Sequence, residues 1–495
     1  MLEKIFDWIR KVRQKMFGQR NFYEKAGVPP STITTDMVIA IDRWCNLYEN
    51  RAPWLAKDPK SLCLPARIAA EIATMVTVEM EMKVVSKNEH SKARAEFLNK
   101  QLDKVRDCIR KQTEYACAKG GLVFKPYIDG VGISYEYVQA DDFYPCAFDS
   151  RGDITSAVFL ARKQEGNRYY TRIEKHVLDG TTYTVTNRAF VGMSQDEIGQ
   201  EVPLTQITEW KFIDPVTKIE NIEHPLFAYF AIPLGNTIDP KSPIGVSVYA
   251  KADSARLIEE ADKQFQRLMW EFEGGELAID ASTDAFKTKG GIPELPTGKE
   301  RLYRINKLDS ATVSDELMKT FSPTLRDESI TSGLQTILKQ IEDTTGLSRG
   351  TLADPDKEAL TATQIKTQKQ RTYATVSSIQ KALENALRLV VNASNSLATL
   401  YSLAPEGDIG VNFVWDDSVI VDAEAERQRD MEEVSNGLMQ KWEYRVKWYG
   451  EDEQTAKRMT ADAQTDDDIM GFGLPNKQPI QTNPAKAGER EGSEQ

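Results

Sequence analysis

The chain has 495 residues, of which 40% are apolar, 28% charged and 9% aromatic. Those proportions describe a chain that folds around a buried core, and they exclude collagen-like, disulfide-framework and wholly disordered classes. The formal net charge is −12, from 63 Lys and Arg against 75 Asp and Glu, which disfavours a protein that grips nucleic acid over a broad basic surface.

The segment MLEKIFDWIRKVRQKMFGQR places Leu2, Ile5, Ile9, Val12 and Met16 at helical spacing. Lys4, Arg10, Lys11, Arg13, Lys15 and Arg20 fall mostly on the other side. It lacks the apolar run of a secretory signal, and Glu3 and Asp7 argue against a transit peptide. We read residues 1–30 as an amphipathic docking arm, with an interfacial membrane helix as the alternative. Three helices are predicted within 32–119. Their faces are Met37, Ile41, Trp44 and Tyr48; then Ile68, Ile72, Met75 or Val76 and Met80; then Leu98, Leu102, Val105, Ile109 and Ala116. The third stops at Gly120-Gly121.

Strands follow. Residues 122–128 turn through Asp129-Gly130 into 131–138, residues 154–164 turn at 165–167 into 168–178, and Asp179-Gly180 leads to 181–190. Turn residues every ten or so positions with no intervening helix predict an antiparallel meander. The fold class is therefore α+β, and a Rossmann-type nucleotide crevice is not expected. A proline-rich connector, 231–246, precedes a long helix predicted at about 248–273, roughly 39 Å at 1.5 Å per residue. Its stripe is Ala255, Ile258 or Ala261, Phe265, Leu268 and Phe272, and Gly274-Gly275 ends it. Residues 276–325 read as a small β-rich insertion with strands at 277–280 and 301–305. A helix at 327–345 carries Ile330, Leu334, Ile337, Leu338 and Ile341 on one face. A loop, 346–361, leads to a third long helix reaching about 403, with a near-heptad seam from Val376 to Tyr401. A strand, IGVNFVW, then charged helices at 422–463 and a Gly/Pro/Gln/Glu-rich disordered tail at 471–495 complete the chain.

Chemistry-bearing motifs are sparse. Gly346-Leu347-Ser348-Arg349-Gly350 matches G-x-S-x-G, but a helix precedes it where a strand is required, and His90, His176 and His224 all lie before the serine. A flexible helix–helix loop accounts for its glycines. No P-loop occurs. Cys45, Cys63, Cys108, Cys117 and Cys146 have no CxxC spacing and read as reduced, packed thiols. Neither a metal nor a cofactor is expected. One stretch, 346–371, is locally basic: Arg349, Lys357, Lys366, Lys369 and Arg371 stand against Asp354, Asp356 and Glu358. That pattern suits a solvated helix face or weak, sequence-independent contact with phosphates. The competing readings are a hydrolase or nuclease centred on Ser348, and an adaptor or peripheral membrane protein using the N-terminal helix.

Longer strings are more specific: SLCLPARIAAEIATMVTVEMEM (61–82), YACAKGGLVFKPYIDG (115–130), VQADDFYPCAFDSRGDITSAVF (138–159) and 238–280, from IDPKSPIGV to GGELAID. On these the chain resembles, over roughly 35–450, the portal proteins of long-tailed bacteriophages of Gram-positive bacteria. The resemblance implies a non-enzymatic ring of about twelve subunits around a channel for double-stranded DNA at the capsid vertex. It implies wing (31–240), stem helix 1 (241–275), clip (276–325), stem helix 2 (326–345), tunnel loop (346–361), long helix and returning wing strand (362–420) and crown (421–470). It implies assembly in the host cytoplasm and a place in the virion. The expected partners are further copies of the chain, passing DNA, the terminase large subunit as packaging motor, a head–tail adaptor, and major capsid and scaffolding proteins, with no membrane. Arg349, Lys357, Lys366 and Lys369 would face the channel; Lys287, Lys289, Glu294, Lys299 and Arg301 would dock motor or adaptor.

Overall fold

The computed structural model describes residues 32–460 apart from 131, 195–196, 252–253, 277, 283–287, 290–291, 294–302, 307–317, 356–361 and 416–422; for some strand and helix-end residues, 362–369 among them, only the backbone course is described. The chain divides into two compact units, 1–420 and 421–495. The expected N-terminal arm and C-terminal tail lie outside the described residues.

The described part of the first unit opens with three helices, α1 (Thr35–Tyr48), α2 (Leu64–Thr77) and α3 (Lys92–Lys119). Their predicted faces are the buried ones: Met37, Ile41 and Trp44; Ile68, Ile72 and Val76; Leu98, Leu102, Val105 and Ile109. Gly120 caps α3 at φ +93°, and a Cβ there would come within 2.7 Å of the Gly245 carbonyl oxygen, so both backbone angle and close approach require glycine. Met80 is not on α2. It opens strand β1 (Met80–Ser86), whose Met82 and Val84 alternate inward. The period-3.6 reading ran one step too far into a period-2 segment.

Two sheets flank these helices' continuation. β2 (Gly121–Asp129) and β3 (Gly132–Gln139) form the first predicted hairpin, and a later short strand, Ala228–Ala231, pairs with β2. The larger sheet runs β4 (Phe143–Phe148), β5 (Ile154–Glu165), β6 (Arg168–Asp179), β7 (Thr182–Gly192), β8 (Gln200–Val202), with β9 (Val216–Ile219) also on β7; Ala228–Ala231 is β10. β4 escaped sequence reading because Pro145 interrupts it; the proline sits on an edge strand beside a register shift.

Helix α4 (Ser254–Gly274) starts six residues later than the predicted position 248 and spans about 31 Å rather than 39 Å. Val248 instead donates its backbone N–H to the Cys117 carbonyl, and the Tyr249 hydroxyl donates to the Trp44 carbonyl. Docking onto α3 and α1 thus overrides local helix preference. Strands β11 (Ala278–Ser282), β12 (Thr288–Lys289), β13 (Ile292–Pro293), β14 (Tyr303–Asn306) and β15 (Met318–Phe321) follow. β11 lies between β14, parallel to it, and β15, antiparallel. Every other described pairing is antiparallel. Helix α5 (Asp327–Thr345) returns along α4, and α6 (Ala362–Leu400) runs back over α2, β2 and β10. β16 (Ile409–Trp415) then pairs antiparallel with β1, so the chain's late segments complete its early domain. One core unites the helices: Leu98, Leu102, Ile258, Leu338, Ile341, Leu383, Leu387 and Val390 share it.

In the second unit, α7 (Ala423–Ser435) and α8 (Lys441–Tyr449) are tied by Asp430, which accepts from Lys447 Nζ at 2.6 Å and Trp448 Nε1 at 2.8 Å. Gln440 and Glu443 form a capping box at the start of α8.

Candidate nucleic-acid interface

The basic stretch begins where α5 ends. Gly346 takes φ +81°, and the backbone N–H groups of Gly346 and Leu347 both donate to the Glu342 carbonyl oxygen. Leu347 then turns into the core, 2% exposed. A side chain at 346 would also collide with Thr375 on α6, its Cβ 2.5 Å from Oγ1.

Within the loop, residues 347–355 are tied by hydrogen bonds to the helix before them. The Glu342 side chain is wholly buried. Its Oε1 accepts from the backbone N–H of Leu352 at 2.6 Å and Ala353 at 2.9 Å, and its Oε2 from that of Gly350 at 3.3 Å. A carboxylate taken from water needs such donors, and charge-assisted bonds to backbone amides are among the stronger ones available. Gln335, two turns earlier, donates to Asp354 Oδ2 at 3.0 Å and accepts from its backbone N–H at 2.7 Å. The same helix therefore pins the loop at four backbone positions.

Asp343 faces outward beside this cradle. Its Oδ2 meets Arg349 Nη2 at 3.1 Å and its Oδ1 meets Arg371 Nη1 at 3.0 Å. Arg371 also donates to the Asp343 carbonyl oxygen. All three side chains are about half exposed, so each pair is worth roughly 0–1 kcal/mol. Of the expected channel cations, Arg349 and the neighbouring Arg371 are thus brought together on one carboxylate. Lys357 lies outside the described residues, and Lys366 and Lys369 fall in the part of α6 whose side chains are not described. Of the expected docking residues, Lys289 lies on β12, paired with Ile292 on β13; Lys287, Glu294, Lys299 and Arg301 are outside the described residues.

Glu342 and Asp343 were not singled out from sequence. One signal was present: two acids in the last turn of a helix oppose its macrodipole and call for an explanation. Ser348 Oγ shares a hydrogen bond with Thr372 Oγ1 at 2.6 Å, on a turn that follows a helix. That bond pairs two hydroxyls.

The hairpin that carries the loop is anchored at both ends. Near its base Asp262, 2% exposed, accepts from Trp54 Nε1 at 2.9 Å, Leu62 N at 2.9 Å and Ser61 Oγ at 3.1 Å. At the far end Glu271 accepts from Arg326 through Nη2 at 2.8 Å, Nε at 3.2 Å and the backbone N–H at 3.1 Å. Those bonds hold the Glu271 carboxyl below its ordinary range and close the neck of the β-rich insertion.

Another buried carboxylate joins the two sheets. Glu174 on β6 accepts from Lys125 on β2 at 2.9 Å, Arg172 at 2.9 Å and His176 Nε2 at 2.6 Å. Burial opposes its ionisation, but Lys125, His176 and Arg172 outweigh burial and hold its carboxyl well below the usual range. The Tyr183 hydroxyl accepts the Leu226 backbone N–H, so it donates to His176 Nδ1, 2.6 Å away. Burial lowers the His176 proton affinity against the pull of Glu174, leaving a neutral ring whose Nε2–H faces Glu174. Among the cysteines, Cys45, Cys117 and Cys146 are buried; burial pushes the Cys45 thiol up to about 12 and that of Cys146 to about 11. Cys63 departs from the packed-thiol expectation: it is exposed, in a left-handed conformation at φ 51°. Among the described residues no cluster of three or more His, Cys, Asp or Glu could hold a metal, and no helix is long and apolar enough to cross a membrane.

The family described as phage portal protein, SPP1 Gp6-like, matches residues 66–468. The chain belongs to that family. It is a portal, or connector, protein of the virion, and its family is structural rather than enzymatic. No curated protein matches it. Among solved structures it is similar to chains of the neck of a native GTA particle, determined with C12 symmetry. There the identity is 11% and the TM-score 0.36, over 87% of this chain and 98% of the other. It is also similar to the neck of an empty GTA particle with C6 symmetry, at 10% identity and TM-score 0.37, over 82% and 92% of the two chains. TM-scores this low do not by themselves establish a shared fold. The α+β architecture of this portal protein rests on its own helices and sheets.

Proposed function

We propose that this portal protein closes into a ring of about twelve subunits at one capsid vertex and lets double-stranded DNA enter and leave without hydrolysing nucleotide. In this reading α4 and α5 are the stem, residues 276–325 the clip, 31–240 with 362–420 the wing and 421–470 the crown. The clip docks the terminase large subunit during packaging and a head–tail adaptor afterwards. Capsid and scaffolding proteins contact the outside, assembly takes place in the cytoplasm of a Gram-positive host, and the phage is long-tailed. The loop 346–361 forms the constriction. The observation that carries this last assignment is the cradle on Glu342: it presents Arg349 at a fixed place between two long helices, where a channel-lining element must not collapse.

An acidic chain suits this task. A net charge of −12 keeps most of a channel wall from gripping the duplex, and a few cations at the narrowest point give weak, repeated phosphate contacts. Negative-stain microscopy of the purified protein tests the ring. Particles with a central hole are expected; monomers under every assembly condition overturn the proposal.

A further inference from the structure

Resting on the reading of 346–361 as the DNA-facing constriction, we propose that Asp343 is a competing acceptor that sets how firmly the loop holds DNA. It occupies Arg349 and Arg371 when no phosphate is near and yields them when one passes.

The geometry has the properties such an exchange needs. Each guanidinium meets the carboxylate through a single nitrogen, at 3.1 Å for Arg349 and 3.0 Å for Arg371; Arg371 keeps a second bond, to the Asp343 carbonyl oxygen, so Arg349 is the more readily released of the two. A bidentate fork would be stronger and slower to give up. The side chains are 38%, 48% and 52% exposed for Asp343, Arg349 and Arg371, so water screens the pairs and a phosphate oxygen can replace a carboxylate oxygen at little net loss. Two cations share one anion, leaving the triad one positive charge. Without the carboxylate the same place would carry two, repeated around the ring. Helix stability gives no reason for an acid here, because Asp343 stands in the last turn of α5, where the macrodipole favours cations. The neighbouring Glu342, not Asp343, holds the loop backbone, so the two adjacent acids divide the work: one fixes the loop's shape, the other its free charge.

The test uses assembled full-length protein and linear duplex DNA, with binding measured across a salt series and packaging followed with the motor. Asp343→Asn should bind duplex more tightly, with a salt slope steeper by about 0.9 for each additional phosphate engaged, and should package more slowly. Asp343→Glu, which keeps the charge, should behave as wild type. Adding Arg349→Ala and Arg371→Ala to Asp343→Asn should abolish the gain. Should Asp343→Asn rings not form, Asp343→Ser, which keeps a hydroxyl acceptor without the charge, is read in the same way. Intact rings of the uncharged variant with unchanged or weaker DNA binding overturn the role of Asp343. If Arg349→Ala with Arg371→Ala alone changes neither binding nor packaging, the underlying assignment of the loop fails instead, and the proposal falls with it.

Discussion

Glu174 on β6 and Glu342 near the end of α5 are both carboxylates withdrawn from water, yet they are satisfied by different partners. Glu174 is met by side-chain cations and an imidazole brought in from β2 and β6. Glu342 is met by backbone amides of the loop that follows it, at Gly350, Leu352 and Ala353. The first arrangement joins two sheets and fixes how they pack. The second fixes the path of one short segment and leaves the surrounding packing to apolar contacts. A buried charge therefore acts over the span of whatever it bonds. Cations from separate strands give it a domain-scale role, and amides of one loop give it a local role.

The largest expected effect comes from breaking the first arrangement. Glu174→Gln leaves Lys125 and Arg172 without their shared counter-charge and should lower unfolding free energy by about 3–5 kcal/mol, read from urea denaturation. A loss below about 1 kcal/mol would mean that Glu136, 2.6 Å from Lys125, suffices by itself. Breaking the second arrangement should be milder and confined. Glu342→Gln keeps the shape but turns an amide NH2 toward backbone N–H groups, at about 1–3 kcal/mol. Hydrogen exchange at Gly350, Leu352 and Ala353 should quicken by roughly tenfold or more while β5 and β6 stay protected. Equal acceleration in the sheets would contradict a local role.

The smallest effect sharpens the contrast through pH. His176 is held neutral, so its folded proton affinity lies below its unfolded one. Between those two values the unfolded chain binds the additional proton, and stability falls as pH falls. From about pH 7.5 to about pH 6 this one group can remove no more than about 1 kcal/mol. The depressed Glu174 adds to the loss further down, since its contribution is complete above the ordinary carboxylate range and disappears as pH drops through its folded value. A urea midpoint that stays level or rises on mild acidification would show that His176 is already protonated in the fold.

Much of the local architecture was legible in advance. The α1, α2 and α3 faces, the hairpins β2–β3 and β5–β6–β7, the limits of α5 and the seam of α6 as far as Leu397 follow from repeats of 3.6 or 2 and from glycine at turns; Tyr401, predicted to extend that seam, lies beyond the helix and is exposed. Those signals are carried by neighbouring residues, so one chain suffices to read them. The family, too, was visible in long strings such as 61–82 and 238–280, which the match over 66–468 bears out. Arg349 and Arg371 could be picked out as a local excess of charge, but their sharing of Asp343 could not, because Arg371 arrives from another helix.

What remained closed to the sequence has one physical cause. The late start of α4, the strand at Met80–Ser86, its pairing with Ile409–Trp415 and the burial of Glu174 and Asp262 depend on partners far along the chain, and the burial of Glu342 on how the loop after it folds back. Composition counts 75 acidic residues and treats them alike. Which of them lose water is decided only when the fold brings amides and cations to meet them, because a carboxylate enters the interior only where its partners are already in place. So sequence alone determined most of the elements, their order and the family, and with them a net negative charge compatible with a channel. Tertiary structure alone decided where that charge is spent on holding the molecule together and where, beside Arg349, it is left to face solvent.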